Sequence, residues 1–275
     1  MILDVKAYVE EQKKQLRNKI DLSQRLGGLN LLILQVGDDP RSNAYIKGKM
    51  MDCREVGINA TLVKFNDRRY NLHTVDTAKD LIKNFDAVFL QMPLENAKLQ
   101  DGILNFIPAA KDVDGLSQGS PYAPCTPKGI MDYLHRGLGY ENLLGKKVTI
   151  VGRGKLTGKP LATMMIEDGA TLTLCNSQTS EEDLRAACLG ADILVTAVGK
   201  QHLINSDMVK SGAIVIDVGI NIGENGKMCG DCNPEMYNRD DICITTVPGG
   251  VGLLTRLALL ENIIETRKPM STTER

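Results

Sequence analysis

The 275-residue sequence predicts an α/β protein with two parallel-sheet α/β domains around a cleft, and three observations support this prediction. Short apolar, β-branched runs alternate with amphipathic stretches, which is typical of parallel strands joined by helices. An irregular segment rich in Gly, Ser and Pro, 108–127, divides this alternation into two series. The second series opens with a buried strand, a glycine-rich turn and a helix.

The first series contains three predicted strands and three predicted helices. In chain order they are a helix at 4–17, a strand at 29–36, a helix at 42–56, a strand at 59–65, a helix at 71–84 and a strand at 86–92. The first strand, Leu-Asn-Leu-Leu-Ile-Leu-Gln-Val, is apolar enough to be buried on both faces. Ser42 is a candidate N-cap of the second helix, and Gly57 is a candidate C-cap.

The second series repeats the alternation and ends with an apolar helix. Its predicted strands are 147–151, 171–175, 193–198, 213–218 and 242–247, and its predicted helices are 127–138, 160–168, 181–189, 206–211 and 253–266. This βαβαβ order predicts a Rossmann-type dinucleotide-binding domain. The last helix needs a partner surface, and we expect it to return to the first domain. The predicted domains are therefore 1–118 with 253–275, and 119–252.

The glycine-rich turn after the strand Val148–Val151 is a candidate phosphate-binding loop. Gly152, Gly154 and Gly158 have the spacing G-x-G-x-x-x-G, one residue longer than the usual dinucleotide motif. Glycines allow a phosphate to approach the backbone, and a helix N-terminus attracts an anion. An ordinary strand–helix turn is the alternative interpretation.

The residues around this turn favour NADP over NAD. The second strand of the domain is followed by Asn-Ser-Gln-Thr, without the carboxylate that commonly holds a ribose 2′-hydroxyl. Arg153 lies inside the glycine loop, where a cation suits a 2′-phosphate. A solvated loop cation is the alternative for Arg153, and Ser177 is equally compatible with an ordinary turn.

Composition and charge restrict the partners and the location. Thirty-three basic and 34 acidic residues give a net charge of −1, which does not favour nucleic acid or a membrane surface as a partner. The N-terminus is charged too early for a signal peptide, and no apolar run is long enough to cross a bilayer.

The seven cysteines are scattered along the chain, which fits the reducing environment of a cytoplasm. The single C-x-x-C, Cys229 and Cys232, lacks a second ligand pair, so we predict no metal site.

Five polar residues of the first domain are candidate site residues. Tyr45 and Lys49 are spaced i, i+4 and share one helix face, and a lysine acts as an acid or base when burial lowers its pKa. Gln91 ends a strand, where ligands gather in parallel sheets, and Asp112 and Asp114 lie in the segment between the domains. A solvated lysine, a surface glutamine and Asx-turn aspartates are the structural alternatives.

Seven short motifs occur in a characteristic order along nearly the whole chain. They are Tyr45-Ile46-Lys47-Gly48-Lys49, Gln91-Met92-Pro93-Leu94, Lys111-Asp112-Val113-Asp114-Gly115, Pro124-Cys125-Thr126-Pro127, Gly152-Arg153, Val215-Ile216-Asp217-Val218-Gly219-Ile220-Asn221 and Val247-Pro248-Gly249-Gly250-Val251-Gly252. In this combination the chain resembles the bifunctional methylenetetrahydrofolate dehydrogenase/methenyltetrahydrofolate cyclohydrolase (FolD) family. The resemblance implies a folate-binding catalytic first domain and an NADP-binding second domain. It also implies tetrahydrofolate derivatives as substrates, a homodimer, and a place in one-carbon metabolism and purine biosynthesis.

The resemblance implies two reactions and assigns residues to them. The first is the NADP-dependent oxidation of 5,10-methylenetetrahydrofolate to 5,10-methenyltetrahydrofolate, and the second is its hydrolysis to 10-formyltetrahydrofolate. The implied catalytic residues are Lys49 as the principal one, Gln91 tuning it, Tyr45 orienting the folate and Asp112 in support. The implied substrate-binding residues are Tyr45, Asp114 at the pterin ring, Pro248, Gly249 and Gly250. The implied cofactor-binding residues are Gly152, Arg153, Gly154, Ser177 and Ile220.

The sequence departs from the family pattern in three places. Gly154 replaces the usual Ser, Asn176 replaces a common His, and Leu253-Leu254 replaces Pro-Met. The first two concern the affinity for the cofactor and the preference for NADP. A dehydrogenase without the hydrolytic step, and a catalytically silent nucleotide- or folate-binding protein, are the alternative functions.

Overall fold

The computed structural model describes residues 1–23, 28–65, 72–92, 94–223 and 226–267. The predicted helix start at Asn71, Pro93 of the second motif and residues 268–275 of the predicted first domain lie outside these ranges. The chain forms two compact units. We call residues 11–125, with the described part of 256–275, the three-stranded unit, and residues 1–10 with 126–255 the five-stranded unit.

The three-stranded unit contains the first alternation of strands and helices. Its elements are α1 (Val5–Ser23, of which 5–10 belong to the other unit), β1 (Asn30–Val36), α2 (Pro40–Val56), β2 (Asn59–Phe65), α3 (Leu72–Ile82), β3 (Ala87–Leu90) and α4 (Ala97–Leu104). The sheet is parallel in the order β2-β1-β3. The five central residues of β1 are buried, as expected of a strand covered on both faces.

The helix α4 was not predicted from the sequence. It has eight residues, with Gly102 near its middle, and only Leu99 and Ile103 are buried. Two buried apolar residues form too short a pattern to show helical periodicity in the sequence. Its start is nevertheless capped, because the side chain of Asn96 accepts a hydrogen bond from the backbone N–H of Leu99 (3.1 Å).

The start of α2 differs from the prediction, and its end agrees with it. The N-cap is Asp39, whose carboxylate accepts the backbone N–H of Ser42 (2.9 Å), so the assignment of Ser42 as the cap was wrong. Pro40 fills the first turn, where its missing N–H costs nothing. Gly57 closes the helix with φ 91°, as predicted.

The five-stranded unit contains the second alternation. Its elements are α5 (Cys125–Asp132, of which Cys125 belongs to the other unit), a π-helical turn (Tyr133–Gly137), β4 (Lys147–Val151), α6 (Gly158–Glu167), β5 (Thr171–Cys175), α7 (Glu181–Gly190), β6 (Ile193–Thr196), β7 (Ile214–Asp217), β8 (Asn221–Ile222), β9 (Met228–Cys229), β10 (Cys243–Ile244) and the start of α8 (Val251–Glu265, of which 256–265 belong to the other unit). Its main sheet is parallel in the order β10-β7-β6-β4-β5, and β8 pairs with β9 in antiparallel fashion. The predicted helix at 206–211 is a single 3₁₀ turn, Ser206–Met208. These sheets confirm the prediction of two parallel-sheet α/β domains.

The two chain ends cross between the units, and the unit boundaries therefore differ from the predicted ones. Residues 1–10 belong to the five-stranded unit, because Leu3 donates its N–H to the carbonyl of Ile244 (2.9 Å) and Ile244 donates to that of Met1 (3.0 Å). The predicted boundaries at 118 and 252 lie at 125 and 255. The helix α8 starts in the five-stranded unit, and from Arg256 onward its described residues belong to the three-stranded unit. Within the described ranges, no helix is long and apolar enough to cross a membrane.

We predict that Asp39, and not Ser42, contributes the capping energy of α2. Replacing Asp39 with Ala removes the acceptor of the Ser42 N–H and should lower the free energy of unfolding by about 1 kcal/mol. The matched control, Ser42→Ala, keeps that hydrogen bond and should change it by less than about 0.5 kcal/mol. Urea denaturation of both variants measures the difference. Equal losses in the two variants would contradict the assignment of the cap.

Candidate active site

Lys49 is a buried lysine on the inner face of α2. It is only 5% exposed, and its Nζ donates a hydrogen bond to Oε1 of Gln91 (2.8 Å). The same nitrogen lies 3.7 Å from the centroid of the Phe89 ring, so the aromatic face also stabilises its positive charge. The sequence predicted the pairing of Lys49 with Gln91 only through the resemblance.

Gln91 follows directly after β3, at the carboxyl end of a parallel strand. Its backbone N–H donates to the carbonyl of Leu34 (2.9 Å) and so continues the ladder to β1. Its side-chain Nε2 donates to the carbonyl of Met92 (2.8 Å). Because this bond uses the amide nitrogen, the amide oxygen is left to face Lys49.

Burial shifts two titrating groups of this site toward neutral pH. Burial lowers the pKa of Lys49 to about 8, although the negative charge of Asp114 opposes the shift. Arg256 adds a smaller effect in the same direction as burial. Burial raises the pKa of Asp114 to about 6, and the positive charge of Lys49 opposes that shift. Near pH 7 the site therefore holds an ionised Asp114 beside a lysine that loses its proton readily.

The side chain of Asp112 organises the loop that carries Asp114. Asp112 is buried, and its carboxylate accepts the backbone N–H groups of Asp114 (3.2 Å), Leu116 (2.7 Å) and Ser117 (2.5 Å). Gly115 has φ +71°, a left-handed conformation that favours glycine. With its oxygens engaged by the backbone, Asp112 acts on the site by positioning Asp114.

Two further residues, neither of them predicted as a site residue, hold the same loop. The amide of Asn262 on α8 is buried and donates to the carbonyls of Val113 (2.9 Å) and Ala123 (3.1 Å). The Cys125 thiol donates to the carbonyl of Val113 (3.3 Å). Burial raises the pKa of Cys125 well above its usual value, which favours the protonated thiol that donates this hydrogen bond. A polar residue at an inward position of the last helix was the available signal for Asn262.

Tyr45 and Arg256 lie beside Lys49. Tyr45 is one helical turn before Lys49 on α2 and is partly buried, and burial raises the pKa of its hydroxyl. Arg256 was not predicted as a site residue. Its guanidinium is close enough to oppose the shift at Tyr45 and to influence Lys49.

In the five-stranded unit, the glycine loop leaves β4 and enters α6. Gly152 has φ +112°, and a Cβ there would overlap the carbonyl of Ala197. A Cβ on Gly158 would overlap the carbonyl of Gly152, so both positions require glycine. No side chain caps the N-terminus of α6, and Arg153 and Gly154 are exposed. An exposed loop at an uncapped helix N-terminus has room and donors for a pyrophosphate.

Two buried aspartates hold the loops that follow β6 and β7. Asp231 accepts the backbone N–H groups of Val198 (2.8 Å), Gly199 (3.2 Å) and Lys200 (2.8 Å). Asp217 accepts those of Gly219 (2.9 Å), Asp231 (3.0 Å) and Cys232 (2.9 Å). These loops lie at the carboxyl ends of parallel strands, where dinucleotides bind. Asp217 lies within one of the seven motifs of the sequence, and Asp231 was not predicted.

The remaining predicted residues also lie at strand ends. Ser177 is exposed in the turn after β5, and Ile220, which is exposed, follows β7. Pro248 and Gly249 are exposed before α8, and Gly249 has φ +101°. A Cβ on Gly250 would lie 2.5 Å from the carbonyl oxygen of Thr246, so this glycine is required by packing. Within the described ranges, no three His, Cys, Asp or Glu side chains form a group that could hold a metal ion.

Two family models cover most of the chain. The model described as "Tetrahydrofolate dehydrogenase/cyclohydrolase, catalytic domain" matches residues 3–114, and that described as "Tetrahydrofolate dehydrogenase/cyclohydrolase, NAD(P)-binding domain" matches residues 124–271. The chain belongs to the tetrahydrofolate dehydrogenase/cyclohydrolase family.

Individual relatives agree with this membership. The chain is 38% identical over 282 residues to the bifunctional protein FolD of Dechloromonas aromatica, covering 96% of each chain. It is also similar to the crystal structure of the bifunctional FolD enzyme of Campylobacter jejuni, with 34% identity, a TM-score of 0.87, and 97% and 98% of the two chains covered. The FolD structure of Trypanosoma brucei, complexed with NADP cofactor and inhibitor, has 26% identity and a TM-score of 0.88, with 97% and 96% covered.

Family membership confirms the predicted enzyme class and the predicted type of cofactor. The dehydrogenase/cyclohydrolase family has an NAD(P)-binding domain, and its model covers the unit that contains the glycine loop. The required glycines at 152 and 158 and the uncapped start of α6 fit such a cofactor.

Proposed function

We propose that the chain catalyses two consecutive reactions on one-carbon folates. The first oxidises 5,10-methylenetetrahydrofolate to the 5,10-methenyl cation with NADP, and the second hydrolyses that cation to 10-formyltetrahydrofolate. The observation that carries the proposal is the buried Lys49, whose pKa is lowered to about 8, hydrogen-bonded to Gln91. Folate binding alone does not require a lysine that is buried and ready to lose its proton.

In the hydrolysis, the neutral Lys49 amine acts as the general base. A water attacks the amidinium carbon, its oxygen bonds to that carbon, and its proton passes to Nζ of Lys49. The bond from the carbon to N5 then breaks, the hydroxyl proton leaves as the formyl C=O forms, and N5 receives a proton from the lysine. The balance is one water consumed and one proton released. Gln91 holds the amine at the reacting carbon.

The substrate is oriented by the groups around Lys49. The ionised carboxylate of Asp114 accepts hydrogen bonds from the amide-like edge of the pterin, a charge-assisted contact. Asp112 keeps Asp114 in place through the backbone N–H groups that it accepts. Tyr45 packs against the folate one helical turn from Lys49. The assignment of Pro248, Gly249 and Gly250 to substrate binding rests on the resemblance alone.

In the dehydrogenase reaction, NADP when bound accepts the hydride from the methylene carbon. The backbone of Gly152, Gly154 and the start of α6 would hold its pyrophosphate. Arg153 and Ser177 would hold the 2′-phosphate, and the backbone at Ile220 would contact the nicotinamide. The exposure of Arg153 and Ser177 supports these roles, because both side chains are accessible to a ligand.

The role of Lys49 predicts a distinct pH dependence. Hydrolysis of methenyltetrahydrofolate should rise as the pH increases through about 8, because only the neutral amine accepts a proton. Lys49→Ala should lower the rate by about 100-fold or more. Lys49→Arg keeps a positive charge but stays protonated, so it should be equally impaired. The decay of methenyl absorbance measures the hydrolysis separately from NADP reduction.

Two outcomes would contradict this role of Lys49. Retained hydrolysis in Lys49→Arg would show that the lysine acts as a cation and not as a base. An unchanged pH profile in Gln91→Glu would also contradict it, because a carboxylate 2.8 Å from Nζ should move the rise of the hydrolysis rate to higher pH.

The wild type separates the alternative functions. NADP reduction without hydrolysis would favour the dehydrogenase-only alternative, and no turnover of either kind would favour a silent binding protein.

The role of Arg153 predicts a change in cofactor preference. Arg153→Ala should raise the KM for NADP by about 10-fold, because a charge-assisted contact with the 2′-phosphate is lost. The KM for NAD should stay within about twofold, since NAD lacks that phosphate. Lys155→Ala, in the same exposed loop, is the matched control. An unchanged NADP-to-NAD ratio in Arg153→Ala would refute the assignment.

A cytoplasmic homodimer that supplies one-carbon units for purine biosynthesis completes the proposal, on the basis of the resemblance. The described structure offers a candidate contact, because β2 is an edge strand and Leu62 on it and Met51 on α2 are 36% and 61% exposed. Sedimentation equilibrium should give twice the chain mass of 30.1 kDa. Leu62→Glu should shift the mass toward that of the monomer. A wild-type mass of one chain would exclude the dimer.

A further inference from the structure

Arg256 extends from α8 along the surface of α2 and is held there by a buried carboxylate. Its Nε lies 2.9 Å from Oδ2 of Asp52, an ion pair without the geometry of a hydrogen bond. Asp52 is buried, and its other oxygen, Oδ1, accepts a hydrogen bond from Lys13. One carboxylate therefore serves two cations, and Lys13 has a second partner in Glu55 (3.0 Å).

Gly48 gives the guanidinium its path along α2. A Cβ at this position would overlap Nη1 of Arg256, so another residue would displace the guanidinium. Tyr45, Gly48, Lys49 and Asp52 have the spacing i, i+3, i+4 and i+7 and thus share one face of the helix. The guanidinium consequently runs from Asp52 toward the turn that carries Tyr45 and Lys49.

The outer N–H groups of Arg256 are available to a ligand. Among the described residues the guanidinium makes its ion pair with Asp52, and no protein acceptor is hydrogen-bonded to either Nη. The side chain is 24% exposed, which leaves these donors facing solvent or substrate. A guanidinium has five N–H donors in a planar fork that matches a carboxylate. Its anchored Nε reduces the entropy lost when the fork binds a ligand.

We propose that Arg256 binds a carboxylate of the glutamyl tail of the folate substrate. The inference rests on the proposed function, which places the pterin at Asp114, the reacting carbon at Lys49 and Tyr45 against the folate. The glutamyl group lies at the end of folate opposite the pterin, so its carboxylates come next along the substrate. Arg256 flanks Tyr45 with unused donors, and a carboxylate is the substrate group that such donors bind most strongly.

The decisive experiment compares substrates with and without the glutamyl group. Arg256→Gln removes the charge, and it should raise the KM for 5,10-methylenetetrahydrofolate by about 10-fold, the loss of one charge-assisted contact. The KM for the simple amide of 5,10-methylenetetrahydropteroic acid, which has neither glutamyl carboxylate, should stay within about twofold. Arg256→Lys keeps a positive charge, although without the planar fork, and should retain part of the affinity for 5,10-methylenetetrahydrofolate. Lys47→Gln, an exposed cation on the other side of α2, should leave both KM values unchanged.

Different outcomes separate this inference from its alternatives. An equal rise in KM for both substrates, or none, would overturn it. A shift in the pH profile with both substrates would assign Arg256 to the tuning of Lys49. If Arg256→Gln does not fold, the wild type must bind tetrahydrofolate about 10-fold more tightly than the simple amide of tetrahydropteroic acid, and equal affinities would overturn the inference. Calorimetry measures both affinities without turnover. An enzyme that turns over neither substrate would overturn the proposed function, and this comparison of affinities would still test the inference.

Discussion

The burial of one amino group is the constraint on which the candidate active site depends. An ammonium group taken out of water without partners is strongly disfavoured, so a buried lysine either loses its proton or acquires compensating contacts. Both effects act on Lys49. The amide oxygen of Gln91, the ring of Phe89 and the carboxylate of Asp114 stabilise its charged form, and burial still lowers its pKa to about 8. The partial compensation keeps the two protonation states close in free energy near neutral pH.

This balance requires that the compensating groups be fixed. Gln91 is fixed because its backbone continues the hydrogen-bond ladder of β3 and its side-chain nitrogen donates a hydrogen bond to the carbonyl of Met92. Asp114 lies in irregular backbone, which would otherwise bury unpaired N–H and C=O groups. Asp112 accepts three N–H groups of that segment, and Asn262 donates to the carbonyls of Val113 and Ala123, so these backbone groups are paired and the loop is held in place.

The sequence predicted the features that depend on local pattern and missed those that depend on tertiary contacts. Alternation of apolar and amphipathic runs predicted both parallel sheets, because burial of a strand on two faces is visible in its composition. The cap at Asp39 was misassigned to Ser42, since both residue types cap helices and only geometry separates them. The sequence singles out Lys49 and Gln91 as candidates, but Arg256 and Asn262 lie more than 100 positions from their partners, and no local signal links them.

The glycines of the loop differ in whether packing requires them. Gly152 and Gly158 are required by packing, because a Cβ at either position would overlap a backbone carbonyl. Gly154 is different, since a Cβ there would meet no described heavy atom within 4 Å. The fold thus has room for the serine that the family usually places at this position, and glycine here creates no space that serine lacks. In the proposed function, glycine at this position removes one hydroxyl donor, so phosphate binding at the loop would depend more heavily on backbone N–H groups, the start of α6 and Arg153.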